Sequence, residues 1–138
     1  MKNHKPILLV EDDRVDAMTV TRALKEINVT NTLAHVENGE EALAYLSDDT
    51  KENPCIILLD LNMPRMNGIE FLNIVKKDDA VKNIPVIVLT TSKDEGDRLE
   101  SFNLSVAGYM VKPVDYLQFV EIMKTIQAYW SLSEMPFD

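Results

Sequence analysis

Three short runs of consecutive apolar residues constrain the fold of this chain more than any other feature. They occupy residues 7–10, 55–59 and 85–89, and a polar residue ends each of them. A strand with one face in water alternates apolar and polar residues, whereas a strand covered on both faces is apolar throughout. The runs therefore predict central strands of a parallel sheet. Weaker patterns at 32–36 and 106–111 predict two further strands.

Helical patterns fill the gaps between these strands. The stripes of apolar residues at helical spacing are Ala17, Val20, Leu24 and Ile27, then Ile69, Leu72 and Val75, and finally Tyr116, Phe119, Val120, Met123 and Ile126. Asn38 followed by Glu41 predicts a capping box at the start of the second helix. Residues 94–102 predict a short, charged fourth helix, and Asp115 can cap the fifth. Five strands alternating with five helices imply right-handed crossovers and an α/β sandwich.

Length and composition limit the classes of protein. The 138 residues suit one domain, which we place at 1–130 with a tail at 131–138. A formal net charge of −9 argues against nucleic acid as a partner. The single cysteine, Cys55, excludes an internal disulfide and fits a reducing compartment. No apolar run is long enough for a membrane span or a signal peptide, so we expect a soluble cytoplasmic protein without a membrane partner.

Chemically distinctive residues follow the predicted strands. Glu11 and Asp12 follow the first, Asp60 the third, Thr90 the fourth and Lys112 the fifth. Each residue alone has an ordinary explanation, because acidic residues after strands commonly cap helices or form turns. In an open parallel sheet, however, the carboxyl ends of the strands meet at one edge, where ligands bind. Three carboxylates, a hydroxyl and an ammonium at that edge predict a functional site.

The chemistry of such a group is coherent. Neighbouring carboxylates repel each other unless a cation lies among them, and Mg²⁺ prefers oxygen ligands, with Mn²⁺ as a substitute. A carboxylate can then act as the nucleophile toward a phosphoryl group. We expect Asp60 to be that nucleophile, with Lys112 and Thr90 contacting phosphoryl oxygens.

With these residues in view, the chain resembles the receiver domains of two-component response regulators. The matching segments are residues 8–12, residues 58–64, the turn ending at Gly68, residues 85–90 and residues 108–113. The resemblance covers nearly the whole chain. It implies a flavodoxin-like (βα)₅ fold with a parallel sheet of order 2-1-3-4-5.

The resemblance also implies individual roles. They are Asp60 as phosphoacceptor, Glu11, Asp12, Asp60 and the Asn62 backbone carbonyl as metal ligands, Thr90 as switch hydroxyl, Lys112 as the lysine that contacts the phosphoryl group, and Tyr109 as the rotating aromatic. It further implies a cis peptide bond between Lys112 and Pro113. Catalysis would be limited to the protein's own phosphorylation and dephosphorylation, so the protein would not be an enzyme in the ordinary sense.

The partners implied are a histidine kinase or phosphotransfer protein and a downstream protein target. Residues 89–92 and the aromatic end from Tyr129 resemble the subgroup that partners phytochrome-type kinases. The apolar residues of the C-terminal stretch either fold back on their own domain or form a contact surface for a homodimer or a partner: Trp130, Leu132, Met135 and Phe137. A switch surface is expected on the fourth helix, fifth strand and fifth helix.

Three other functions fit less well. An aspartate-nucleophile phosphatase usually has a second acid two residues after the nucleophile, where this chain has Asn62. A receiver-like scaffold that is never phosphorylated would not need Asp60, Thr90 and Lys112 together. A nucleotide-binding protein would need a glycine-rich phosphate loop, and the four glycines are dispersed.

Overall fold

The computed structural model describes residues 5–133 and contains one five-stranded parallel sheet. The strands are β1 (Ile7–Val10), β2 (Leu33–Val36), β3 (Ile56–Leu59), β4 (Val86–Thr90) and β5 (Gly108–Val111). Their order is β2-β1-β3-β4-β5, and all four neighbouring pairs are parallel. The predicted fold class and strand order are confirmed.

Five helices alternate with these strands. They are α1 (Arg14–Glu26), α2 (Gly39–Ser47), α3 (Gly68–Val75), α4 (Glu95–Asn103) and α5 (Tyr116–Leu132). Each begins directly after an Asp or Asn whose side chain accepts a backbone N–H of the first turn: Asp13, Asn38, Asn67, Asp94 and Asp115. Such caps satisfy donors that have no partner inside the helix, which is why each helix starts where it does.

One predicted cap differs in detail. Asn38 accepts the Glu41 backbone N–H at 2.9 Å, but the Glu41 carboxylate bonds the backbone N–H of Glu37 instead of that of Asn38. The complete capping box lies at α3, where the side chains of Asn67 and Glu70 each accept the other's backbone N–H at 2.9 and 3.0 Å. The sequence pattern therefore predicted the helix start correctly and its second hydrogen bond incorrectly.

The sheet has an apolar layer on each face. Alternate strand residues point to opposite faces, so Ile7, Leu9, Ile56 and Leu58 pack with α1 and α5. Leu8, Val10, Ile57 and Leu59 pack on the other face, with residues of α2 and α3. Every residue of β1, β3 and β4 is buried, whereas β2 and β5 at the two edges are partly exposed. This difference explains why only the central strands are continuous apolar runs.

The end of α5 belongs to the core. The helix continues to Leu132, two residues beyond the predicted boundary, and the indole of Trp130 is 1% exposed within the layer formed by α1 and α5. Trp130 therefore folds back on its own domain, while Leu132 is 81% exposed. The other two residues of the predicted contact, Met135 and Phe137, lie outside the described residues.

The Lys112–Pro113 bond is trans, since no peptide bond within residues 5–133 is cis. The expectation of a cis bond, which came from the resemblance alone, is wrong for this structure. For a bond before proline the trans form is favoured by about 0.5–1 kcal/mol, and the surrounding contacts must supply more than that to reverse the preference. Here the trans chain still lets the Lys112 backbone N–H donate to the Thr90 carbonyl at 2.8 Å.

Among the described helices, none is long and apolar enough to cross a membrane.

Candidate functional site

Three carboxylates meet at the carboxyl edge of the sheet, directly beyond β1 and β3. Glu11, Asp12 and Asp60 each place an oxygen within 4.8 Å of the others. Backbone hydrogen bonds continue the sheet to this point, because the Glu11 N–H donates to the Val36 carbonyl and the Asp60 N–H to the Val10 carbonyl, both at 3.0 Å. Glu11 and Asp60 are buried, at 1% and 8% exposure. The predicted cluster is therefore present, and hydrogen bonds of the sheet backbone position two of its three members.

The electrostatics of this cluster favour a cation. The pKa of Glu11 is raised from 4.5 to about 7: burial is the largest cause, the hydrogen bond from Lys112 opposes it, and the charge of Asp60 adds to it. A divalent cation among the oxygens would offset both the desolvation and the mutual repulsion. Clustered carboxylate oxygens are the donors that Mg²⁺ and Mn²⁺ prefer. The side chains present thus fit a hard divalent cation.

Lys112, directly after β5, reaches into this acidic cluster. Its ammonium donates a short hydrogen bond to Glu11 and another, at 3.0 Å, to Asp16. The distance from its Nζ to Asp60 Oδ2 is 4.0 Å, which makes Asp60 an ionic neighbour at the edge of contact. Burial lowers the pKa of Lys112, but the hydrogen bond to Glu11 and the negative charges outweigh it, so the pKa lies above its ordinary value. The ammonium is therefore charged.

Asp16 is one residue of this site that the sequence did not indicate. It lies in the first turn of α1, and its side chain is 40% exposed. The only signal in the sequence is its position one turn after Asp13, which caps α1 at the same edge of the sheet. Many acidic residues occupy first turns because they interact favourably with the helix dipole, so the position alone has little diagnostic value.

A second set of contacts joins Thr90 to the start of α4 through Ser92. The Ser92 N–H donates to the Thr90 hydroxyl at 3.3 Å, and the Ser92 hydroxyl donates to Asp97 at 2.7 Å. The Tyr109 hydroxyl donates to the Ser92 carbonyl at 3.0 Å. Thr90 is fully buried and Tyr109 half-buried, with its ring against the layer formed with α2 and α3. Ser92 therefore connects both predicted switch residues.

The connection between β3 and α3 encloses Asp60 from one side. The Asn62 backbone N–H lies 3.5 Å from Asp60 Oδ1, and the Asn62 side chain is exposed. The Gly68 N–H donates to the Leu61 carbonyl at 3.0 Å, and Arg65 adopts a left-handed backbone with φ of 62°. These bonds hold the connection in a tight turn beside the carboxylates.

His35 of β2 also contacts the site. Its Nε2 lies 2.7 Å from the Glu11 backbone carbonyl, so in the tautomer with a proton on that nitrogen the imidazole donates to Glu11. The sequence did not predict a partner for His35, because a contact to a backbone carbonyl has no signature in residue type. Pro113 follows Lys112 and lies, with Asp16, Thr91 and Tyr116, on the wall of a cleft of about 420 Å³ beside the ammonium.

The known proteins that are similar to this chain belong to one family. The family model described as "Response regulator receiver domain" matches residues 7–124. The response regulator Rcp1 of Synechocystis sp. (strain PCC 6803) is 35% identical over 130 residues, covering 91% of this chain and 88% of the relative. Among solved structures, the phosphorylated cyanobacterial phytochrome response regulator RcpA superposes with a TM-score of 0.90 at 38% identity, covering 96% of this chain and 99% of that chain. The Mn²⁺-bound form of Rcp1 gives 0.88 at 34% identity, with the same coverage.

Proposed function

Because this chain belongs to the response regulator receiver family, we propose that it receives a phosphoryl group on Asp60 in a reaction that depends on Mg²⁺. Members of the family act in two-component signalling, and phosphoryl transfer to an aspartate with Mg²⁺ is their general mechanism. The observation that carries the assignment to Asp60 is its position. It is the one carboxylate that belongs to the three-carboxylate cluster, lies within 4.0 Å of Lys112 and accepts from the β3–α3 turn.

The reaction forms one bond and breaks one bond. A carboxylate oxygen of Asp60 attacks phosphorus in line with the leaving group, which is the imidazole of a phosphohistidine or the acetate of acetyl phosphate. The new bond is a mixed anhydride, and the leaving group departs with the electron pair of the broken bond. Glu11, Asp12, Asp60 and the Asn62 carbonyl would hold Mg²⁺, which when bound neutralises charge on the phosphoryl oxygens. Lys112, whose Nζ lies 4.0 Å from Asp60, would pair with a second phosphoryl oxygen.

The switch operates through Ser92 in this proposal. Phosphorylation adds close to two negative charges at Asp60. The Thr90 hydroxyl turns to donate to a phosphoryl oxygen, and it then no longer accepts the Ser92 N–H. The Ser92 carbonyl accepts the Tyr109 hydroxyl, and the Ser92 hydroxyl donates to Asp97 in the first turn of α4. Movement of Ser92 away from Thr90 therefore shifts the position of both the Tyr109 side chain and the start of α4. The equilibrium requires two packed arrangements that differ by only a few kcal/mol.

The surface that would report this change is the face of α4, β5 and α5. Its exposed apolar residues include Leu99 and Phe102 of α4, Val111 of β5 and Leu117 of α5. Exposed apolar residues that lie together are typical of protein contacts. We propose that this face binds the downstream partner or a second copy of the chain. We further propose a phytochrome-type histidine kinase as the phosphodonor, since the phytochrome response regulator RcpA is 38% identical to this chain.

Intact-mass spectrometry after incubation with Mg²⁺ and acetyl phosphate tests the proposal. The expected result is one added phosphoryl group in the wild type and none after Asp60→Asn or after removal of Mg²⁺ with a chelator. Asp49→Asn is the matched control, because Asp49 is exposed and lies after α2, away from the cluster. A wild-type chain without an adduct, even with purified phytochrome-type kinases as donors, would contradict phosphoacceptor function.

A further inference from the structure

The Lys112 ammonium has a second carboxylate partner that lies outside the three-carboxylate cluster. Its Nζ donates to Asp16 Oδ2 at 3.0 Å as well as to Glu11, and the Lys112 side chain is only 8% exposed. We infer that Asp16 is a positioning residue: it holds the Lys112 ammonium at the site and so allows Glu11 to exchange from Lys112 to a divalent cation. This inference rests on the proposed metal site and concerns how that site is kept available.

The need for such a residue follows from the cost of a buried charge. An ammonium removed from water is strongly destabilised unless it is paired. Two of the three carboxylates near Lys112, namely Glu11 and Asp60, are also members of the cluster that would bind the cation. When those carboxylates turn to the cation, Lys112 loses its short hydrogen bond to Glu11. Asp16 is then its only remaining carboxylate partner among the described residues.

Asp16 is suited to this role by its location. It does not belong to the group of carboxylates whose oxygens lie within 4.8 Å of one another. It is anchored in the first turn of α1, whose start is fixed by the Asp13 cap with hydrogen bonds of 2.8 and 3.1 Å. Its side chain is 40% exposed, so pairing with Lys112 removes it from water only in part. It therefore offers a permanent partner, whereas Glu11 offers an exchangeable one.

An ordinary ion pair at the rim of the site would look similar in a static structure. The two readings differ in one consequence. A rim pair adds a little stability and leaves cation binding unaffected beyond the general loss of a nearby negative charge. A positioning residue lowers cation affinity when removed, because Lys112 then depends on Glu11 alone and competes more strongly for it.

The test measures Mn²⁺ binding to the full chain by electron paramagnetic resonance, without a phosphodonor. Asp16→Asn is expected to raise the dissociation constant about fivefold or more, the range typical of coupled sites. Asp13→Asn is the matched control: it removes an exposed charge three residues away, and asparagine caps a helix as well as aspartate does. We expect the control to change the constant less than about twofold, as for a screened surface charge.

A second comparison shows whether Asp16 acts through the lysine. Lys112→Met removes the competitor for Glu11, so Mn²⁺ should bind more tightly than in the wild type. In that background Asp16→Asn should weaken binding no more than Asp13→Asn does. Equal effects of Asp16→Asn and Asp13→Asn in the wild type, or an undiminished effect of Asp16→Asn without Lys112, would overturn the inference. A wild type that binds no Mn²⁺ would instead contradict the proposed metal site.

Discussion

Replacing Gly68 with alanine places a methyl group where the structure has no space. A Cβ on Gly68 would lie 2.7 Å from the Asp60 carbonyl oxygen and 2.8 Å from both Cα and Cδ2 of Leu61. Two of these three atoms belong to the backbone of the β3–α3 connection, so a side-chain rotation cannot relieve the contact. The backbone next to the proposed phosphoacceptor must shift.

The size of the effect follows from two opposing terms. Inserting a methyl group into a tightly packed site costs about 1–3 kcal/mol. Gly68 is the first residue of α3, and alanine in a helix recovers at most about 1 kcal/mol. We therefore expect the free energy of unfolding to fall by about 1–2 kcal/mol, which corresponds to about 4 °C in Tm per kcal/mol at this chain length.

Urea denaturation followed by tryptophan fluorescence measures this change. Trp130 is the only tryptophan and is 1% exposed, so its emission reports unfolding of the layer with α1 and α5, away from the substitution. The matched control is Gly108→Ala, where a Cβ would meet Ile87 and Met110 at 3.9–4.0 Å, which is ordinary contact. If Gly68→Ala were as stable as the wild type and as Gly108→Ala, the close approach beside Asp60 would be refuted.

Three further predictions concern single side chains. The pKa of Glu11 is raised to about 7, so between pH 4.5 and 7 the metal-free native state binds more protons than the unfolded chain. The free energy of unfolding therefore falls by up to about 3 kcal/mol as the pH rises through that window. Glu11→Gln should remove this pH dependence of the free energy of unfolding, which urea denaturation at several pH values measures. Identical pH profiles of the variant and the wild type would contradict the raised pKa. Tyr109→Phe removes the hydrogen bond to Ser92 and should cost about 0.5–1.5 kcal/mol, whereas an unchanged urea midpoint would argue against that bond. Trp130→Ala should lower the free energy of unfolding by about 3–5 kcal/mol and Leu132→Ala by less than about 0.5 kcal/mol, because only the first side chain is buried. Urea denaturation followed by far-UV circular dichroism measures both values, and equal losses would contradict the difference in burial.

The burial of Trp130 also determines how homodimerisation is tested. A chain that ends at Tyr129 lacks a core side chain and would lose stability for reasons unrelated to assembly. A chain that ends at Ser133 keeps the whole of α5 and removes only residues 134–138. Sedimentation of this shorter chain beside the full chain therefore separates a contact made by the tail from one made by the α4–β5–α5 face.

The sequence predicted the parts of the molecule that burial and strand ends determine. β1, β3 and β4 are covered on both faces, so their composition is apolar throughout and their positions were found within one residue. The two edge strands are partly exposed, and the predicted 106–111 proved to be Gly108–Val111. Glu11, Asp12 and Asp60 were brought together by topology alone, because parallel strands place their carboxyl ends at one edge.

The contacts that the sequence did not predict depend on how helices and side chains are oriented in the fold, which residue types do not specify. Asp16 contacts Lys112 only because the first turn of α1 faces the end of β5, and a helical pattern does not specify that rotation for a polar residue. Ser92 contacts Thr90 and Tyr109 through its backbone amide and carbonyl, which every residue possesses. The apolar stretch that includes Trp130 could equally have covered its own domain or a partner, and the choice depends on packing that only the structure reveals.

In the proposed reaction the carboxylate of Asp60 becomes a mixed anhydride. Borohydride reduction of the phosphorylated protein, followed by tandem mass spectrometry of its peptides, tests this assignment directly, because the reagent converts an aspartyl phosphate to homoserine and leaves free aspartate unchanged. We expect homoserine at position 60 in protein treated with Mg²⁺ and acetyl phosphate, and none when Mg²⁺ is omitted. Homoserine at position 12 or 13 with an unmodified Asp60, or no homoserine in a protein that carries a phosphoryl group, would contradict Asp60 as the phosphoacceptor.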